Sequence, residues 1–443
     1  MRKGIVAWTA SALLAFAGAA NAQEMDPLLK LLVENKVITM EQAVQVQQQY
    51  DQQKAGQQTP SPQPPAAAAG ITKDEARTVA LEEIAKAKPA LPDGIKDLKF
   101  GGLWYLSFQN GDKYAGKAGE TTPYNQFLVK RGYLRVTKGI TPWMEGVFTP
   151  DVTLDSTGDL KVRMKYIYAK FKWKGNDFIH KPYMEVGMAH MPWLDFEEDI
   201  NLYRMQDTMF MERNGLFNSA DVGLLVGSDF GPELPETYRK EVGEKYAGRW
   251  GSWQLGVYNG GGYHAAEKNN NKPIEARVTL RPLPDYLPGL QVSGFYVNGK
   301  GNVAEPEPGK PYPDWIVKAG MLSYQHKYFV LTGQYYTGEG NQKGDAVYSD
   351  GPHKGESRKM DGYSLFAEVR FPENRKFSVI GRYDNFDPDR INPESDLQKR
   401  YIFGVAYKLF KGNVLLLDYQ TLNHRDPDIP DEKRLQLTLQ VKF

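Results

Sequence analysis

This sequence predicts an all-β fold, a transmembrane β-barrel of about 16 antiparallel strands with a short N-terminal helical region. Three observations predict it: apolar and polar residues alternating with period two from Leu98 to Phe443, short turns alternating with long loops, and an N-terminal export signal. Mean hydropathy over the 443 residues is −0.55, yet 12% of them are aromatic, with 26 Tyr, and there are 43 Gly. That mixture suits short strands and turns better than a helical core.

Arg2 and Lys3 precede an apolar run from Ile5 to Ala19, and Ala20-Asn-Ala22 is a small-x-small cleavage site. Residues 1–22 therefore read as a secretory signal peptide, the run being short for spanning a bilayer. The mature chain is expected to begin near Gln23, outside the cytoplasm. No later stretch approaches eighteen consecutive apolar residues, so no transmembrane helix is expected. Cys is absent, which removes disulfides, thiolate metal sites and covalent haem attachment together. A net charge of +1, with no basic block or basic helix, carries no nucleic-acid footprint.

Residues 23–95 read as a periplasmic helical arm. Asp26 to Val33 resembles a short helix, and Thr39-Met-Glu-Gln42 is a capping box opening a second one through Ala43, Val44, Val46 and Tyr50. A Pro-rich linker over residues 57–71 follows. A third helix opens at Thr72-Lys-Asp-Glu75 and spaces Ala76, Val79, Ala80, Ile84 and Ala87 helically. One such stripe makes no core alone; it fits an arm for oligomerisation or cell-wall contact, or a plain tether. Its periplasmic partner is not specified by the residues.

The barrel is expected over residues 96–443. Alternation places strands near 98–109, 126–138, 142–151, 162–174, 182–190, 219–229, 250–258, 273–282, 288–298, 314–326, 328–338, 361–371, 375–386, 400–410, 413–423 and 433–443. Turns such as Gly139-Ile-Thr141, Pro284-Asp-Tyr286, His326-Lys327, Pro372-Glu-Asn374 and Lys411-Gly412 are short. Connections near 110–124, 191–218, 299–313, 339–360 and 387–399 are long, giving one short rim and one long rim. The segment 231–249 departs from this rhythm, being long and charged on the short rim: an unusual turn or a further hairpin. The last strand, Leu435 to Phe443, alternates throughout, with Gln436, Thr438, Gln440 and Lys442 inward and a terminal aromatic resembling a barrel-assembly signal.

The long connection after His190 carries Trp193, Phe196, Tyr203 and Phe210, too many aromatics for a disordered loop. It is expected to fold into the lumen and narrow it. The constriction candidates are Trp193, Asp195, Glu197, Glu198, Asp199, Glu212 and Arg213.

Val186-Gly-Met-Ala-His-Met-Pro192, Met209-Phe-Met-Glu-Arg213 and Ala220-Asp-Val-Gly223 resemble the phosphate-selective porin O and P family. Its pattern joins a Gly-x-x-x-x-Pro strand end, a Phe-x-Glu-Arg segment and an Asp-x-Gly strand start. Gly381-Arg-Tyr-Asp384, Tyr401 to Tyr407 and the lead Lys36-Val-Ile-Thr39 are similar to the family as well. The resemblance implies a sixteen-stranded trimeric porin of the bacterial outer membrane with its third extracellular loop folded inward. That family's arginine ladder and lysine cluster do not align onto this sequence residue by residue, so the resemblance implies the barrel and not the solute.

Taking the face opposite each apolar row, the lumen is expected to receive Arg131, Arg135, Lys170, Lys172, Arg277, Arg281, Arg370, Arg382, Lys408 and Lys442. Glu145, Glu185, Asp221, Glu275, Glu368, Asp384 and Asp418 join them, a mild excess of bases that favours small anions or polar solutes. Arg382 and Asp384, two apart on one face, are expected to pair. The first eight bases are the selectivity candidates, on the expectation that the acidic run 195–199 turns outward to water. Six scattered His show no metal-ligand spacing, and no nucleophile elbow or phosphate-cradling loop appears. No metal, cofactor or enzyme activity is expected. The reading is a passive-diffusion porin, with a barrel sheathing or docking an electron-transfer or surface complex as the alternative.

Overall fold

The computed structural model describes residues 33, 39–55, 94–155, 157–306, 310–371 and 374–443. The expected signal peptide, Pro-rich linker and third helix, and all of the expected first helix but Val33, lie outside them. The chain divides into two units, Met1–Ala90 and Leu91–Phe443. In the first, α1 (Met40–Ala55) begins at the capping box: the Gln42 amide donates to Thr39 Oγ1 at 3.3 Å and the Thr39 amide to Gln42 Oε1 at 2.9 Å. Two amide groups at this helix start thereby gain partners.

The second unit is built on sixteen strands. They are β1 (Leu98–Tyr114), β2 (Thr121–Thr141), β3 (Met144–Leu154), β4 (Leu160–Lys172), β5 (Ile179–His190), β6 (Ala220–Phe230), β7 (Gly251–Tyr258) and β8 (Ile274–Leu280). The rest are β9 (Leu290–Lys300), β10 (Asp314–Gln325), β11 (Phe329–Glu339), β12 (Lys359–Phe371), β13 (Phe377–Asp387), β14 (Gln398–Lys408), β15 (Val414–Asn423) and β16 (Glu432–Lys442). Each pairs antiparallel with its neighbours in sequence, and β1 pairs with β16 from Leu103↔Lys442 to Asp112↔Lys433, closing the barrel. The terminal residue takes part: Gly102 and Phe443 exchange backbone hydrogen bonds at 3.0 and 3.2 Å. The Phe443 ring, edge-on to Trp104, occupies the space a side chain at Gly102 would need.

Alternation explains both surfaces. Outward residues such as Val278, Val292, Leu322, Leu365, Phe403 and Leu437 are exposed, while Ser107, Gln109, Thr279, Gln334, Gln436 and Thr438 are buried inside. An apolar belt around a closed hydrogen-bonded barrel is one of the two architectures that satisfy a backbone within hydrocarbon.

Register shifts interrupt four ladders, β1–β2, β2–β3, β3–β4 and β5–β6, and two of them set an extra lysine into a strand. Between β1 and β2, Tyr105 faces Arg131 and Leu106 faces Val129, so Lys130 is an extra residue. Between β3 and β4, Thr149 faces Tyr166 and Pro150 faces Met164, so Lys165 is extra. A bulge re-aims the strand beyond it. Both extra residues are lysines with inward contacts: Lys130 donates to Gln436 Oε1 at 3.1 Å and Lys165 to Tyr133 Oη at 3.2 Å.

Two expectations about connections change. The expected loop 110–124 is mostly ladder, since β1 and β2 stay paired out to Tyr114↔Thr121. Backbone bonds hold this polar hairpin without an apolar row. The segment 231–249 holds no extra hairpin; a short helix, Glu236–Glu241, sits on a stem bridged between Glu233 and Gly248.

Because the ladder closes on itself within residues 98–442, removing residues 23–93 should leave a barrel that migrates heat-modifiably on gels. Failure of the shortened chain to fold in detergent or lipid would make the N-terminal unit part of the barrel's stability.

Candidate functional site

The segment 191–219 leaves β5 at His190 and re-enters at Ala220, which are register partners. It carries α2 (Leu194–Ile200) and α3 (Phe210–Arg213). Trp193, Leu194, Met205, Met209, Phe210 and Met211 are fully buried, packed in one cluster with Phe295, Val297, Trp315, Val317, Val330, Tyr336 and Phe366 of β9–β12. Those strands carry apolar side chains on both faces, one row for the outer belt and one as a seat for this segment. Trp193 lies 5.2 Å from Phe295, and Phe210 lies 6.2 Å from Tyr336.

Polar anchors fix the seated segment. Lys130 donates to the Met205 and Gln206 carbonyls at 2.8 and 3.0 Å, and Arg434 and Gln436 also reach Gln206 O, at 3.0 and 2.7 Å. Tyr203 donates to Glu368 at 2.7 Å. Arg277, with none of its surface exposed, donates to the Pro192 carbonyl at 3.1 Å and to Gln254, Ser252 and Thr279. The Phe196 ring covers its guanidinium at 4.2 Å. A buried guanidinium without such acceptors would be strongly destabilising.

The selectivity candidates therefore divide by position. Arg277, Arg370 and Arg382 sit against or beside the seated segment: Arg370 pairs with Glu368 at 2.6 Å, while Arg382 pairs with Asp384 at 2.8 Å and donates to Thr208 O at 3.0 Å. Arg281 donates to the Tyr246 and Gly248 carbonyls of the 231–249 segment. Arg131 and Arg163 share Asp151 at 2.6 and 2.9 Å. Lys170 pairs with Glu185 at 3.2 Å over the Tyr183 ring, and Lys172 pairs with Glu145. Arg135 donates to Tyr168 Oη at 3.0 Å and faces two cavities. The alternation rule missed Lys130, Arg163 and Lys165 because it assumed no bulge. It also passed over Arg434, although that residue shares the parity of Gln436.

The acidic run does not turn outward. Asp195 accepts from Lys245 at 2.9 Å and Tyr246 at 2.7 Å, and Glu198 and Glu212 accept from Arg204 at 2.7 and 3.1 Å. Arg213 bonds Asp384 at 3.1 Å. Glu197 accepts from Trp193 Nε1 at 2.8 Å and Gln334 at 2.5 Å. Helical spacing in α2 aims these carboxylates at three different groups of donors, so solvation gives way to pairing.

Electrostatics follow from burial. Burial pushes Glu197 up to about 7, outweighing Arg382 and the two donors. Burial also raises Asp199, to about 6, with Asp195 adding to the effect and Lys245 opposing it. For Asp195 burial acts upward too, but Lys245, His190 and the Tyr246 hydroxyl together hold the carboxyl well below its usual range.

With the segment seated on β9–β12, cavities remain along β1–β5 and β14–β16, toward the short-turn rim. Three cavities, of about 610, 590 and 270 Å³, share Asp195 in their walls. Together they are lined by twelve Lys and Arg against five carboxylates. Tyr133, Tyr166, Tyr168 and Tyr183 stand between the bases. Among the described residues, no group of three or more His, Asp or Glu is placed to hold a metal.

No protein-family model matches the chain, and no curated protein matches it by sequence. Solved structures do. The fold is similar to an anion-selective porin from Comamonas acidovorans, with a TM-score of 0.52 and 13% identity over 78% of this chain and 99% of that one. It is equally similar to Salmonella typhi OmpF in complex with daunomycin, with a TM-score of 0.52 and 12% identity over 78% and 97%. The barrel fold is that of outer-membrane porins. At this identity the likeness establishes architecture, and the solute has to be argued from the lumen.

Glu197 generates a pH prediction. Its folded value of about 7 lies above the ordinary 4.5, so its contribution to seating the segment is complete below about 4.5 and is lost as pH rises through about 7. Amide-exchange protection factors in α2 should fall between pH 5 and pH 8, and most of that fall should vanish in Glu197→Gln. Protection that rises with pH would contradict the assignment.

Proposed function

We propose that the protein is an outer-membrane porin, a water-filled channel for passive diffusion of small solutes with a preference for anions. The observation that carries this reading is the lining of the lumenal cavities beside the seated 191–219 segment, where nine Lys and Arg face five carboxylates even with Arg375, Lys376 and Lys411 of the short turns set aside. Charge in a narrow passage between low-dielectric walls acts at close range. At about 4 Å a unit pair interacts by about 1 kcal/mol in bulk water and by about 4 kcal/mol at an effective dielectric of 20. Side chains at the constriction therefore outweigh those at the mouths.

The fold's likeness to an anion-selective porin supports the same reading. Bases that alternate with tyrosines can hand an oxyanion from one donor to the next, and inorganic phosphate belongs to that class. Trimeric assembly and a periplasmic place for residues 23–95 complete the proposal. A sheath filled by a partner protein would have no use for an inward segment seated on its own apolar wall, which disfavours that alternative.

Arg135 is the sharpest test, since Arg131 is compensated by Asp151 while Arg135 contacts a neutral tyrosine. In planar bilayers under a salt gradient, Arg135→Glu should move the zero-current potential toward cations, strongly at low salt and weakly at high salt. Arg131→Glu should move it less. A potential unchanged in the Arg131→Glu/Arg135→Glu double variant would remove both arginines from the permeation path.

A further inference from the structure

A second segment enters the lumen, from the rim opposite the long loops. In 231–249 the stem is held by the Leu234 amide to Ala247 O and the Arg249 amide to Pro232 O, both at 2.8 Å, with Leu234 and Ala247 buried. Arg281 of the wall donates to Tyr246 O and Gly248 O, both at 3.1 Å. Tyr246 itself has φ +50°, a left-handed conformation that a bulky side chain adopts only where its surroundings enforce it. The conformation lets neighbouring residues reach the same carboxylate: Tyr246 Oη donates to Asp195 Oδ2 at 2.7 Å and Lys245 Nζ to Asp195 Oδ1 at 2.9 Å. Tyr246 packs edge-on against Phe196 at 5.4 Å, and the Arg277 guanidinium lies over both rings.

Lys245 stays wet while bonded, its side chain 57% exposed, and with Asp195 it lines both larger cavities. The pair stands where the lumen opens toward the short-turn rim. On one side lie Trp173, Tyr183 and Lys170; on the other lie Lys376, Lys408 and Lys442.

We propose that residues 231–249 form a second constriction element, and that the Lys245–Asp195 contact is a bar across the lumen that sets the charge felt by a permeating ion at the short-turn side. This inference rests on the channel reading above and adds a specificity-determining residue, Lys245, from a turn. The bar joins a cation from one rim to an anion brought in from the other, so removing either end leaves the other uncompensated and shifts selectivity in opposite directions.

The test uses full-length protein in planar bilayers, with heat-modifiable migration as the control for folding. Lys245→Ala should move the zero-current potential toward cations and Asp195→Asn toward anions, both shifts shrinking at high salt. The chain has no Cys, so Lys245→Cys provides its sole thiol. A negatively charged methanethiosulfonate reagent added on the short-turn side should then reduce the current. Conducting wild-type channels whose two charge variants leave the potential unchanged would overturn this inference and leave the channel reading standing. Shifts of the same sign, or a thiol reagent without effect, would overturn it too. Wild-type protein that passes no current would overturn both readings.

Discussion

Everything in the barrel unit depends on one constraint: a backbone surrounded by hydrocarbon must satisfy its amides and carbonyls within itself. The β1–β16 ladder and the Gly102–Phe443 exchange meet that constraint by leaving no edge. Closure then forces period-two patterning on every strand, one row to the belt and one to the lumen. The polar interior follows from geometry before any solute is considered.

What makes this lumen particular is its unequal halves. Along β9–β12 the inward row carries an apolar patch among its polar residues, and the 191–219 segment lies on that patch with its aromatics and methionines buried. On β2 and β4 the inward row is basic and tyrosine-rich, and the segment's carboxylates approach it without covering it. One sequence feature, apolar residues on both faces of four consecutive strands, thus decides where the bore is filled and where it stays open. The two bulged lysines strengthen the contrast, Lys130 holding the segment and Lys165 standing over tyrosines on the open side.

Much of the fold was legible because alternation is local and the membrane leaves few alternatives. All sixteen strands lie where alternation placed them, and Thr39 and Gln42 form the capping box their spacing implies. The inward segment was legible from its aromatics. Less was legible at the site. Bulges are visible only as a change of parity, as between Val129 and Leu134, and reading one requires doubting the alternation that found the strand. The inward aim of Asp195 depends on Lys245 and Tyr246, fifty residues on in a turn whose form alternation does not describe. Arg277 looked like a lumenal charge, and only packing shows Phe196 covering it.

On the proposed reading, the cavities beside the seated segment join into a continuous aqueous path whose wall favours anions. The zero-current potential of the wild-type protein in a planar bilayer under a tenfold KCl gradient measures it directly. An anion-favouring path gives discrete conductance steps and a potential with the sign of chloride permeation, collapsing toward zero as salt rises. A cation-favouring potential, or a folded barrel that carries no current, would contradict it.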